Sequence, residues 1–136
     1  SGLMLFTNDG ELDNRLTHPK YEVEKTYIAK VKGQVTSEDL EKLKAGVFID
    51  RYHKSAPAKA KVIRHNGSSD NSIISLTIHE GRNHEVKKML EAIGHPVSKL
   101  SRESYGFLTL KNLQPGDYRR LNPHEVERLK EMTGLK

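Results

Sequence analysis

The residues able to do chemistry in this 136-residue chain are mostly cations. Lys25, Arg82, Lys87, Lys88, Lys99, Arg102, Arg119 and Arg120 stand at expected strand ends or beside turns, not in one charge run. That placement suits phosphate contacts around a concave site. Solvated surface cations are the alternative, and residue types alone leave the two readings level. Seven histidines are scattered without HxxxH or HExxH spacing, so a zinc site has no support. Cysteine is absent, which removes thiolate metal ligands and a disulfide framework. There is no Gly-rich phosphate loop and no GxSxG elbow. Tyr27 reads as a core tyrosine, the commoner fate, or as a platform for base stacking.

The charge balance points the same way. A formal charge of +5 and a pI near 9.4 favour an anionic partner, nucleic acid before an acidic membrane surface. An ordinary lysine excess is the bland reading. No apolar run approaches the ~20 residues of a membrane span, and no signal-peptide pattern is present. A soluble, cytoplasmic protein is therefore expected. The start at Ser1-Gly2-Leu3, without methionine, reads as a fragment or a processed chain.

The elements that must position these cations follow from periodicity. Glu80 closes an expected strand, and Gly81 opens a turn into a short basic helix. Val86, Met89, Leu90 and Ile93 make one apolar face of that helix, and Gly94 with Pro96 stops it. Arg82, His84, Lys87 and Lys88 fall outside the stripe. Upstream, Leu3 to Thr7 reads as a buried strand, followed by a helix capped by Asn8 or Asp9 with Leu12 and Leu16 inward. Val23 to Val31 reads as a strand with Tyr27, Ala29 and Val31 on one face. Thr36 caps the next helix, with Asp39 in its first turn and Gly46 at its end. Val47 to Ile49 reads as a brief strand. Ala56 to Ile63 and the alternating Ile74, Leu76 and Ile78 flank a polar turn, which makes a hairpin. Val97 to Leu110 continues as strand or loop, and Tyr118 to Leu121 as a short strand. Asn122-Pro123-His124-Glu125 starts the last helix. The sum is a single α+β domain, its sheet mixed but mainly antiparallel, with helices packed on it.

Four segments in this order and spacing carry a resemblance. They are Ser1 to Leu12 with Arg15-Leu16-Thr17-His18-Pro19; Glu24-Lys25-Thr26-Tyr27; Glu80 to Met89 with Gly94-His95-Pro96-Val97; and Leu113 to Arg119 with Leu121. Together they closely resemble the RsuA/RluB family of bacterial ribosomal-RNA pseudouridine synthases, over Ser1 to about Leu129. The Gly-Arg-Asn form at Gly81-Arg82-Asn83 looks more like the large-subunit branch.

The resemblance implies an isomerase that turns one uridine of ribosomal RNA, here expected to be large-subunit RNA, into pseudouridine, without cofactor or metal. The base must be flipped from its stack before its ring carbon can react. Tyr27 matches the family tyrosine that stacks on the base. Lys87 matches the cation that pairs with the catalytic aspartate and keeps it ionised. Leu100 matches an apolar residue of the uracil pocket, though a plain core role stands beside that. Arg82, Lys88 and Arg102 are expected on the RNA backbone. In relatives the aspartate lies in a Gly-Arg-Leu-Asp motif just before the equivalent of Ser1, and an S4-like RNA-binding module lies further upstream. Residues 1–136 are therefore expected to be part of one catalytic domain, monomeric and inactive alone. A non-catalytic basic RNA-binding module is the alternative.

Overall fold

The computed structural model describes residues 2–81, 84–111 and 113–134. Its helices are α1 (Gly10–Thr17), α2 (Ser37–Ala45), α3 (Glu85–Ala92) and α4 (Pro123–Met132). Its strands are β1 (Lys25–Lys32), β2 (Lys59–Asn66), β3 (Asn71–Ile78), β4 (Val97–Tyr105) and β5 (Leu108–Thr109), in the sheet order β2-β3-β1-β4-β5. The α+β class holds, and every ladder among the described strands is antiparallel.

Strand β1 is central, and its alternation divides the sheet. Lys25, Ala29 and Val31 are buried and Tyr27 half-buried on one face, while Thr26, Ile28, Lys30 and Lys32 point to the other. On the first face α2 and α3 cover a core of Ala29, Val31, Leu43, Ile74, Leu76, Val86, Met89 and Leu90. A second cluster, Leu3, Leu12, Leu16, Val23, Tyr105, Leu108 and Leu129, sits under α1 and α4 at the β5 end. Two bonds tie it together: the Tyr105 hydroxyl donates to the Leu16 carbonyl at 2.8 Å, and Arg15 Nη1 donates to the Thr133 carbonyl at 2.6 Å.

One junction locks the end of β1 to the helices. Thr36 and Asp39 form a capping box at the start of α2. Asp39 Oδ2 also lies 2.8 Å from His95 Nε2, and His95 Nδ1 lies 2.7 Å from the Lys32 carbonyl. Gly33 sits beneath the imidazole at φ +84°, where a Cβ would come within 3.0 Å of Nδ1. The turn after β1 thus needs a glycine for both space and backbone.

Three short strand readings do not hold. Residues 3–7 form no strand: Leu3 is buried and its N–H donates to the Arg102 carbonyl, but Met4 and Phe6 face solvent. Residues 47–49 contribute one bridge, Phe48 to Lys54. Residues 118–121 form no ladder; Arg119 turns back to chelate Glu125, so the segment serves the cap of α4. Each stretch has β-type residues but builds no ladder with the sheet: Gly2 and Leu3 exchange two backbone bonds with Arg102 of β4 before the chain leaves it, and residues 47 and 49 bond back to Ser55 and His53.

Asp39 yields a test. Burial pushes its carboxyl pKa up, but bonds from Thr36 and His95 outweigh this and hold it below its ordinary 3.8. Asp39→Ala is expected to lose about 1–2 kcal/mol at pH 7, the scale of a lost cap. Because the folded value is the lower one, the contribution is complete above about pH 4 and fades as pH falls through the folded pKa. Urea midpoints of the two proteins should therefore converge in acid; a constant gap would contradict this account.

Candidate active site

Helix α3 is set down by its apolar stripe. Val86, Met89 and Leu90 are buried and Ile93 half-buried, which leaves Lys87 exposed and Lys88 half-buried. His84 leads into the helix in the left-handed region at φ 52°, a conformation that costs a residue with a Cβ roughly 1 kcal/mol. Arg82, expected on the RNA backbone, lies outside the described residues, as does Asn83.

Beside α3 the sheet gathers three of the expected site residues. Tyr27 is paired with Arg102 across β1 and β4, and Ala29 with Leu100. Directly opposed residues share a face, so Tyr27, Leu100 and Arg102 all lie on the helix-bearing side. The register slips between Thr26 and Tyr27, leaving Glu103 as the extra residue of a bulge in β4. Such a bulge re-aims the strand where Arg102 leaves it. Arg102 Nε donates to the Leu3 carbonyl at 2.8 Å, and its guanidinium lies 4.9 Å from the centre of the Tyr105 ring. These two contacts orient a half-buried guanidinium at the bulge. Leu100 is half-buried and packs on the first core cluster.

Lys25 departs from its sequence reading. Grouped there with surface cations, it is only 7% exposed. Its Nζ lies 3.5 Å from the Glu80 carbonyl and 5.7 Å from the centre of the Tyr105 ring. Burial pushes its pKa down and the charge of Arg102 adds to that, while Glu85 and Glu80 pull it back up. A Cβ at Gly81 would stand 2.9 Å from this ammonium. Lys25 therefore fixes the approach of the turn before α3 rather than reaching a phosphate. Arg119 is also committed elsewhere, with both terminal nitrogens 2.8 Å from the Glu125 carboxylate, whose pKa that pair draws down to about 2. Lys99 points to the opposite side of the sheet, and Arg120 is exposed near the start of α4.

Sequence reasoning missed the carboxylates of this centre. Glu85 is 3% exposed, and the Glu80 carboxylate accepts from the Ala56 N–H at 2.7 Å. The signal for Glu85 was present: it stands four residues before buried Met89, on the inward stripe. Lys87, by contrast, has no carboxylate within ion-pair distance among the described residues. The described residues hold no group of three His, Asp or Glu side chains placed for a metal. What the arrangement offers is a tyrosine ring, an apolar side chain and a cation on one side of a sheet, suited to a flat polar heterocycle.

The model of the RNA pseudouridylate synthase family matches residues 1–92. The chain belongs to that family. The family chain is 56% identical over 133 residues to ribosomal large subunit pseudouridine synthase B of Bacillus subtilis, covering 98% of its own length and 54% of that protein. It is 41% identical over 140 residues to the protein of the same name from Pseudomonas aeruginosa, of which it covers 35%. A crystal structure of a pseudouridylate synthase matches at a TM-score of 0.79 and 33% identity, over 90% of this chain and 52% of that one. The likeness is thus to RsuA/RluB-type synthases, and the chain spans about half the length of the bacillus relative. No described helix is long and apolar enough to cross a membrane.

Within this pseudouridylate synthase domain, the buried Lys25 makes stability depend on alkaline pH. Its folded pKa lies below the ordinary 10.5, so between the two values the unfolded chain holds more protons and stability rises with pH. Lys25→Met is expected to remove that rise. Denaturation midpoints from pH 8 to 10.5 check it, and parallel profiles for the two proteins would refute it.

Proposed function

We propose that the protein isomerises one uridine of large-subunit ribosomal RNA to pseudouridine. One observation carries the reading. In a chain 56% identical to a large-subunit synthase, Tyr27, Leu100 and Arg102 share a sheet face beside the helix that carries Lys87. The base-flipped uridine stacks on Tyr27 against Leu100, while Arg82, Lys88 and Arg102 hold the backbone around it. The N-glycosidic bond breaks, the uracil turns, and its C5 bonds to the same ribose carbon. The C5 proton then leaves, with Tyr27 assisting, and N1 gains one, so no atom is lost and no oxidant is needed. Lys87 keeps the catalytic carboxylate ionised in a water-poor cleft. That carboxylate is an aspartate preceding Ser1, and an S4-like module further upstream helps choose the RNA. Residues 1–136 are thus part of a catalytic domain and are inactive by themselves.

The upstream extension is the direct test. On bacterial large-subunit RNA, the 136-residue chain should form no pseudouridine, and the chain extended through its upstream aspartate should form it. In the extended chain Lys87→Met should lower kcat by roughly 10²–10³, the scale of losing one preorganised electrostatic contact. Turnover by residues 1–136 would sink the aspartate assignment. Salt-dependent RNA binding without turnover after extension would leave the non-catalytic binding module.

A further inference from the structure

The two faces of the sheet differ sharply. The face turned from the helices carries Thr26, Ile28, Lys30 and Lys32 of β1, Ile73, Ser75 and Thr77 of β3, and Ser101 and Ser104 of β4, all half-buried except the exposed Lys32. Neither hydrophobic cluster includes Ile28 or Ile73. Cross-strand pairing places Arg64, Ile73, Lys30 and Lys99 in one row over β2, β3, β1 and β4. Strands stand about 4.8 Å apart, so Lys30 and Lys99 are adjacent like charges. Directly opposed like charges destabilise a sheet.

Among the described residues Lys30, Lys32, Lys61, Arg64 and Lys99 make no ion pair, and Lys59 alone on this side does, with Glu24. The one carboxylate of the β4 bulge, Glu103, accepts from Ser101 at 2.6 Å. Asp70 lies 3.4 Å from Gln34 at the hairpin turn. The row opens on a cavity of about 580 Å³ lined by Lys30, Arg64, Asn71, Ile73 and Lys99 among others. In its wall the Asn71 carboxamide oxygen is buried without a hydrogen-bond partner among the described residues. A sheet face whose adjacent cations lack counter-charges along an open concavity is a costly arrangement for the fold alone.

We infer that this second face is a phosphodiester-binding surface that holds the RNA flanking the reacting uridine. It lies across the sheet from Tyr27 and reads backbone, not sequence. The inference rests on the RNA substrate proposed above but not on the chemistry given to Tyr27 and Lys87. RNA is favoured over a lipid surface because the cations line a concavity rather than the rim of an exposed apolar patch.

Salt-dependent binding by the full-length protein tests it, with a target hairpin extended by flanking helices as probe. For Lys30→Gln/Arg64→Gln/Lys99→Gln, the slope of log affinity against log salt should fall by about two to three, at ~0.7–0.9 per lost phosphate contact, and affinity near 0.1 M salt by roughly ten-fold or more. Lys30 is half-buried, so the exposed pair Arg64→Gln/Lys99→Gln serves as a variant with less risk to folding, with about two-thirds of the change in slope. Lys42→Gln/Lys44→Gln on α2 should leave the slope unaltered. The shift should persist in a Lys87→Met background, which separates this surface from loss of isomerisation. Unchanged slope and affinity in both variants overturn the inference. So does lost binding to anionic phospholipid vesicles with RNA affinity intact.

Discussion

A lysine ammonium is held almost out of water where β1 begins, and much of the candidate site is arranged around that fact. An isolated ammonium so buried would give up several kcal/mol of hydration. Here Glu80 and Glu85 supply opposite charge, the Glu80 carbonyl accepts from Nζ, and the Tyr105 ring lies beneath. Each partner is thereby constrained. Glu80 is held at the end of β3 and binds the backbone of Ala56, which anchors the segment before β2. A Cβ at Gly81 would stand 2.9 Å from Nζ, so a side chain there would displace the ammonium. Glu85 is the first residue of α3, so its attraction to Lys25 acts on the first turn of that helix. The position of Lys87 is set two residues later.

The same lysine links the two halves of the core. Tyr105 belongs to the cluster under α1 and α4, whereas Tyr27 packs against the one under α2 and α3. Lys25 and Arg102 both lie over the Tyr105 ring, and Arg102 stands opposite Tyr27. The region around Tyr27 is therefore a seam between two separately packed units. A seam of this kind can admit a flat ligand without breaking either core, because neither cluster has its own centre there.

Much of this was legible in the sequence where a local rule governs. The caps at Asp9, Thr36 and Asn122, the stops at Gly46 and Gly94, and the alternation of Ile74, Leu76 and Ile78 all depend on a few neighbouring residues. The stripe of α3 was readable for the same reason. Readings failed where pairing partners decide the outcome. Leu3 to Thr7 and Tyr118 to Leu121 have the residue types of strands, but the first leaves β4 after the backbone bonds to Arg102 and the second turns back through Arg119 to Glu125. Lys25 failed differently. Nothing in its neighbours distinguishes a surface lysine from one whose counter-charges lie 55 and 60 residues away at Glu80 and Glu85. The second sheet face was hidden for a related reason. Its row of cations is assembled from β2, β1 and β4, and no window of sequence contains Arg64, Lys30 and Lys99 together.

Helix periodicity sets the direction of Lys87. A helix turns by about 100° per residue, so the stripe of Val86, Met89 and Leu90 fixes where every other side chain points. Lys87 directly follows Val86 and leaves the helix at the edge of the buried stripe, not on the far side. A slip of one residue would bury Lys87 and expose Val86, at a cost of roughly 1.5–3 kcal/mol for the valine alone. Glu85 would meanwhile leave its place beside Lys25. Two unrelated forces, apolar burial along the stripe and attraction between the Glu85 and Lys25 charges, thus favour the same rotation of α3. Lys87 takes part in neither, yet its direction is fixed by both. That leaves it an exposed cation whose direction the core has set and whose charge no described carboxylate consumes.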